Sequence, residues 1–95
     1  MRASWDLVLE KILNHSQFDE LECLFHLLLT EEERSAVASR LKVFQLLLDG
    51  KLSQRQIASE YEISIATITR CSNYLKHMSA ERRDEIRMLI LPDKA

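Results

Sequence analysis

The sequence predicts an all-α fold, and three observations carry that expectation. Glycine and proline, the residues that break helices, occur once each in 95 residues. Apolar residues make up 46% of the chain and recur at helical spacing. Thr30, Ser53, Ser64 and Ser79 each stand just ahead of such a segment, where a helix start needs a side-chain oxygen for its orphan amides. A chain this short forms one domain, 1–95, and its core is marginal unless a partner subunit helps to cover it.

The first helix spans about 4–14, with Trp5, Leu7, Val8, Leu9, Ile12 and Leu13 set against Asp6, Glu10 and Lys11. A second, about 18–28, carries Phe18, Leu21, Leu24, Phe25 and Leu28 and is greasy on more than one side. It has to be covered nearly all round. Thr30-Glu31-Glu32-Glu33 is a capping box, and the helix it opens runs through "SAVASRLKVFQLLLD" to Gly50, where a left-handed residue belongs. Ser53-Gln54-Arg55-Gln56 is a second box, opening a short helix of about 53–60. Ser64 caps a helix of about 65–76, Ser79 caps one of about 80–90, and Pro92 ends the fold. The sequence holds no linker, internal repeat or low-complexity segment.

The net charge of −2 is unevenly laid out. Residues 1–50 hold five Lys/Arg against nine Asp/Glu, residues 51–77 four against two, and residues 78–95 four against four. The acidic total argues against a strongly electrostatic nucleic-acid binder and leaves a local patch as the only route to such binding. That patch is "ISIATITRCSNYLK", residues 63–76, which has no acidic side chain.

The helices about 53–60 and 65–76 are separated by Tyr61-Glu62-Ile63-Ser64, the length of the turn in a helix-turn-helix. In that motif Ile57, Ala58, Tyr61, Ile63 and Ile68 face inward, and Ile65, Ala66, Thr67, Thr69, Arg70 and Asn73 face out. A helix in the DNA major groove runs between phosphates, where a carboxylate is repelled, while hydroxyl, guanidinium and methyl groups suit base edges. Gln54 and Arg55 open the preceding helix, whose amides favour phosphate, and Lys76 reaches the backbone. Glu62 stands where such turns commonly place Gly, so it either accepts a left-handed conformation at a cost of ~1 kcal/mol or changes the turn.

Other chemistry finds little support. Cys23 and Cys71 are far apart and form no C-x-x-C pair, so reduced thiols of a cytoplasmic protein are expected. His15, His26 and His77 share no ligand spacing, and no metal is expected. No nucleophile, base and orienting group cluster, and no Gly-rich phosphate loop exists, so no catalytic residue is assigned and an enzyme is not expected. The opening "MRASWDLVLEKILNH" lacks an unbroken apolar core, and "LFHLLL" is far below the ~20 residues a bilayer span needs, so no membrane partner is expected.

Residues 27–76, especially "LT.EER", "LL.G..SQR" and "IATITR.SN.LK", closely resemble the bacterial tryptophan repressor family. The resemblance implies a six-helix, intertwined homodimer with helix-turn-helix reading heads. In it 1–50 and 79–91 are dimerisation helices, 53–76 is the reading head, and the dimer reads palindromic operator DNA. It also implies L-tryptophan as corepressor, wedged beneath the head and setting the spacing of the two heads. Carried over, the carbonyls of Leu27 and Leu29 and the hydroxyl of Thr30 receive the ligand ammonium. Arg40 and Arg70 sandwich the indole, Arg70 also meeting the carboxylate. Arg55 contacts a guanine, Ile65, Ala66 and Thr67 face base edges, and Gln54, Thr69 and Lys76 hold phosphates.

The family places Gly where this chain has Cys71 and a small hydroxyl residue where it has Tyr74. Both add bulk beside the expected pocket, which either closes it in favour of packing or reshapes it. Taken alone, Arg40 reads equally as a snorkelling surface side chain, and Arg70 as a phosphate contact or a solvated charge. A ligand-independent regulator of the same fold, and a helical dimerisation or adaptor module without DNA binding, are the competing functions.

Overall fold

The computed structural model of the chain describes residues 3–91, which form six α-helices and no strand. They are α1 Trp5–Asn14, α2 Phe18–Leu28, α3 Glu31–Asp49, α4 Gln54–Tyr61, α5 Ile65–Lys76 and α6 Ala80–Ile90. The all-α expectation holds, and each helix begins and ends within about a residue of the limits read from its caps. Pro92, expected to end the fold, lies outside the described residues.

The caps are built as the sequence specifies. Thr30 Oγ1 accepts the Glu33 N–H at 3.1 Å while the Thr30 N–H donates to Glu33 Oε1 at 2.9 Å, the reciprocal pair that starts α3. Ser53 and Gln56 make the same exchange at the start of α4. Ser64 and Ser79 accept from Thr67 and Arg82 at the starts of α5 and α6, and Ser4 accepts from Asp6 at α1. Gly50 takes a φ of 76° just past α3, a conformation that costs glycine nothing.

The chain divides into two compact units, the first ending at Ser35 and the second beginning at Ala36. The first holds α1, α2 and the opening of α3. None of the residues of α1 or α2 is fully buried, and Trp5, Leu13, Phe18 and Leu27 are largely exposed. Among the described residues, then, no side chain of α2 has the full covering expected around it. At the start of α3, Arg34 folds back so that Nη1 donates to the Leu29 carbonyl at 2.7 Å.

The second unit contains the core. Val43, Ile57, Ile68 and Cys71 are buried together, with Phe44, Leu46, Leu47, Leu52, Ala58 and Ile63 packed against them. Withdrawing one such aliphatic side chain from water is worth roughly 1.5–3 kcal/mol, so this cluster is what holds α4 and α5 onto the second half of α3. Gln45 ties α6 to the same helix by donating Nε2–H to the Ile90 carbonyl at 2.7 Å. Met88 and Leu89 of α6 are left exposed.

One inward position is corrected. Tyr61, expected on the inner face of α4, is 40% exposed, because the core is already closed by Ile57, Ala58 and Ile63. Its ring lies instead under the Lys42 ammonium, with Nζ 5.2 Å from the centroid.

Candidate nucleic-acid interface and ligand cavity

The turn between α4 and α5 consists of Glu62, Ile63 and Ser64. Glu62 adopts the left-handed conformation, φ 53° and ψ 44°, and is the one non-glycine residue with positive φ among the described residues. The chain thus keeps the motif's turn and accepts the cost of a Cβ there. The Ile63 N–H reaches back to the Ala58 carbonyl at 3.3 Å, closing the end of α4 and dropping the Ile63 side chain onto the core.

Ile68, Cys71, Ser72 and Leu75 form the buried side of α5. Ile65, Ala66, Thr69, Arg70 and Asn73 are exposed and Thr67 is half-buried, so the face expected to point outward does so. Thr67 is held by Ser64, whose hydroxyl accepts the Thr67 N–H and donates to Thr67 Oγ1 at 2.9 Å. That leaves the Thr67 methyl and hydroxyl proton in a defined direction. Ser72, the one buried polar side chain among the described residues, accepts from Gln54 Nε2 at 3.1 Å and fastens the first turn of α4 to α5. Gln54 is half-buried by this contact and keeps one amide N–H for another acceptor. Arg55 and Lys76 are exposed, at the start of α4 and the end of α5.

Four of the seven expected ligand residues come together in the second unit. Arg40, Arg70, Cys71 and Tyr74 line a cavity of about 350 Å³, completed by Phe44, whose ring meets Tyr74 edge to face with centroids 6.1 Å apart. Phe44 was not foreseen as a ligand residue. Its place in an apolar run read as core, and only the pairing with Tyr74 shows that it walls the cavity. Arg40, Arg70 and Cys71 also border a second cavity of about 260 Å³, which continues past Ser39 to Glu62, Ser64 and Thr67. Cys71 is 3% exposed, and its burial pushes the thiol up while Arg40 and Arg70 pull it down less strongly. Cys71 and Tyr74 thus both stand in the walls of this space.

The other three lie at the α2–α3 junction of the first unit. Leu27 is 81% exposed, the Leu29 carbonyl already accepts from Arg34, and the Thr30 hydroxyl already caps α3. Among the described residues no group of His, Cys, Asp and Glu is placed to hold a metal ion, and no helix is long and apolar enough to cross a membrane.

Six helices in which α4 and α5 are joined by a three-residue turn, with the second helix presenting a face free of acid, define a helix-turn-helix protein. The chain belongs to the Trp repressor family, a family of transcriptional regulators: the family described as Trp repressor protein matches residues 3–89. A Trp operon repressor homolog of Vibrio cholerae is 38% identical over 90 residues, which cover 95% of this chain and 87% of that one. The Trp operon repressor homologs of Aliivibrio fischeri and Vibrio vulnificus are 38% and 36% identical, covering 85% and 93% of this chain and 75% and 86% of their own.

Proposed function

We propose that this protein is a cytoplasmic, homodimeric transcriptional repressor that reads a palindromic double-stranded operator through α4 and α5 of each protomer. The observation that carries the reading is the exposed, acid-free face of α5, fastened to α4 by a buried core and the Gln54–Ser72 hydrogen bond. Thr67, Ile65 and Ala66 offer hydroxyl and methyl groups to base edges, and Arg55 offers a fork suited to guanine. Thr69, Arg70, Lys76 and the remaining Gln54 N–H are left for phosphates.

Exposed Trp5, Leu13, Phe18, Leu27, Met88 and Leu89 support the dimer, since apolar surface on this scale is costly to leave in water. A two-fold dimer sets the two reading heads about one DNA turn apart, ~34 Å, a docking geometry of which Trp repressors are themselves a known example. In this reading 1–95 acts as one functional domain. The chemistry of the family and the names of the relatives make L-tryptophan or a related indole the first candidate effector, and the cavity between Arg40 and Arg70 its seat. Two guanidiniums beside two aromatic rings suit a planar ligand bearing a carboxylate.

The test is selection of bound duplexes from a random palindromic library, followed by titration of Arg55→Ala and Thr67→Ala against the selected site. Each substitution should cost about 1–3 kcal/mol of operator affinity with dimerisation unchanged. Unchanged affinity for every duplex would exclude the reading and favour a dimerisation or adaptor module. The buried Cys71 favours a second reading, in which the regulator needs no ligand. Operator affinity that does not respond to L-tryptophan in the native chain but does in Cys71→Gly would establish it.

A further inference from the structure

A separate cavity of about 340 Å³ lies where the ends of α3 and α5 meet α6. Ser72 and Lys76 border it from α5, and Arg83, Asp84 and Arg87 from α6, with leucines of α3 and α5 completing much of the lining. Three cations thus stand around one carboxylate, and that carboxylate is already taken, since Asp84 accepts from Arg87 at 2.6 Å. Arg82, on the same helix, pairs with Glu85 at 3.0 Å. Among the described residues neither Arg83 nor Lys76 is in an ion pair. Arg83 is half-buried, and a guanidinium drawn part way out of water without a counter-ion is costly.

The surroundings indicate which anion it meets. Lys76 closes α5, and Ser72 holds Gln54, so two groups assigned above to phosphates adjoin this cavity. Arg83, Ile86 and Ile90 recur at helical spacing and are half-buried against their own chain. Met88 and Leu89, the residues of α6 proposed to meet a second protomer, are exposed on another face of the helix. We propose that the operator interface extends onto α6, where Arg83 and Lys76 together hold a backbone phosphate flanking the bases read by α5. The proposal rests on the reading of α4 and α5 as a DNA-binding head, and it adds a contact that positions the head without reading sequence. The phosphate supplies the counter-ion that Arg83 lacks, and a planar guanidinium fits two of its oxygens.

Titration of the full chain with the selected duplex over a series of salt concentrations tests this. Each neutralised phosphate contributes roughly 0.9 to the slope of log affinity against log salt, and a dimer carries two copies of Arg83. Arg83→Gln should therefore reduce the slope by about 1.8 and weaken selected and unrelated duplexes alike, at least about tenfold at low salt, while Arg83→Lys keeps the slope. Arg82→Gln removes the same charge from the same helix outside the cavity and should leave the slope nearly unchanged. An equal loss in Arg82→Gln would overturn the placement and leave only a general effect of charge. An unchanged slope in Arg83→Gln, with Arg55→Ala still losing the operator, would overturn this contact and leave the DNA reading standing. A shift of dimer dissociation in Arg83→Gln, at unchanged slope, would assign the counter-ion to the second protomer and overturn the proposal. A native chain that binds no duplex would overturn it together with the reading on which it rests.

Discussion

Cys23 and Cys71 carry the same thiol in opposite surroundings. Cys23 is exposed on α2, while Cys71 is buried with its thiol held in the protonated form by burial, against the weaker pull of Arg40 and Arg70. Thiol reagents attack the thiolate. With a colorimetric disulfide reagent, Cys23 should react at least about tenfold faster than Cys71, and denaturant should bring the second equivalent up to the first. Two equivalents released in one fast phase would contradict the buried position. The folded state favours the protonated thiol, so its stabilising contribution is complete below the ordinary value of 9.0 and is lost as pH rises through the raised folded value.

Glu33 behaves in the opposite sense. The Thr30 backbone N–H, and after it the Thr30 hydroxyl, hold its carboxyl below the ordinary 4.5. Its contribution is therefore present above that value and lost as pH falls through the lowered one. Urea denaturation followed downward from neutral pH should show a flatter acid limb for Glu33→Gln than for the native chain. Thr30→Ala should cost about 1 kcal/mol at neutral pH, the usual worth of an N-cap.

At the scale of elements, the α4–α5 turn is the place where local preference and fold disagree. Glu62 is kept left-handed because Ile63 must reach the core and Ser64 must cap α5 in the next two positions. Glu62→Gly should stabilise the protein by about 1 kcal/mol, read as a shift in the urea midpoint at constant slope. A destabilised variant would mean that the Glu62 side chain contributes more than its backbone strain costs. Helix limits were legible because Thr30, Ser53, Ser64 and Ser79 act within one turn, and the order of the chain states such contacts directly. Tyr61 was misplaced because its inward phase on α4 is correct for an ideal helix pair. Closure by smaller neighbours and the nearby Lys42 are long-range facts.

For the whole molecule, the uncovered apolar surface of α1, α2 and α6 is the dominant feature. A lone Phe18, 76% exposed, should tolerate replacement within about 0.5 kcal/mol if it faces water in solution. In the proposed dimer it is covered, so Phe18→Ser should weaken association and move dissociation to higher protein concentration in sedimentation experiments. The melting temperature of the native chain should likewise rise with concentration, as it does when folding and association are coupled. A melting temperature independent of concentration would count against the dimer.

The sequence by itself determined the six helices, their caps, the turn between α4 and α5 and the acid-free face of α5. Each of these depends on residues within a few positions of one another or on helical periodicity. Tertiary structure decided what the motif alone left open. It brought Phe44 of α3 against Tyr74 of α5, set Arg40 and Arg70 beside a buried Cys71, and joined Gln54 to Ser72. Gln54 and Ser72 are 18 positions apart and Gln45 and Ile90 are 45 apart, and no periodicity links such pairs. Whether Cys71 closes or reshapes the cavity depends on how far apart two helices stand. That distance is set by the packing of all the side chains between them, and no single residue states it.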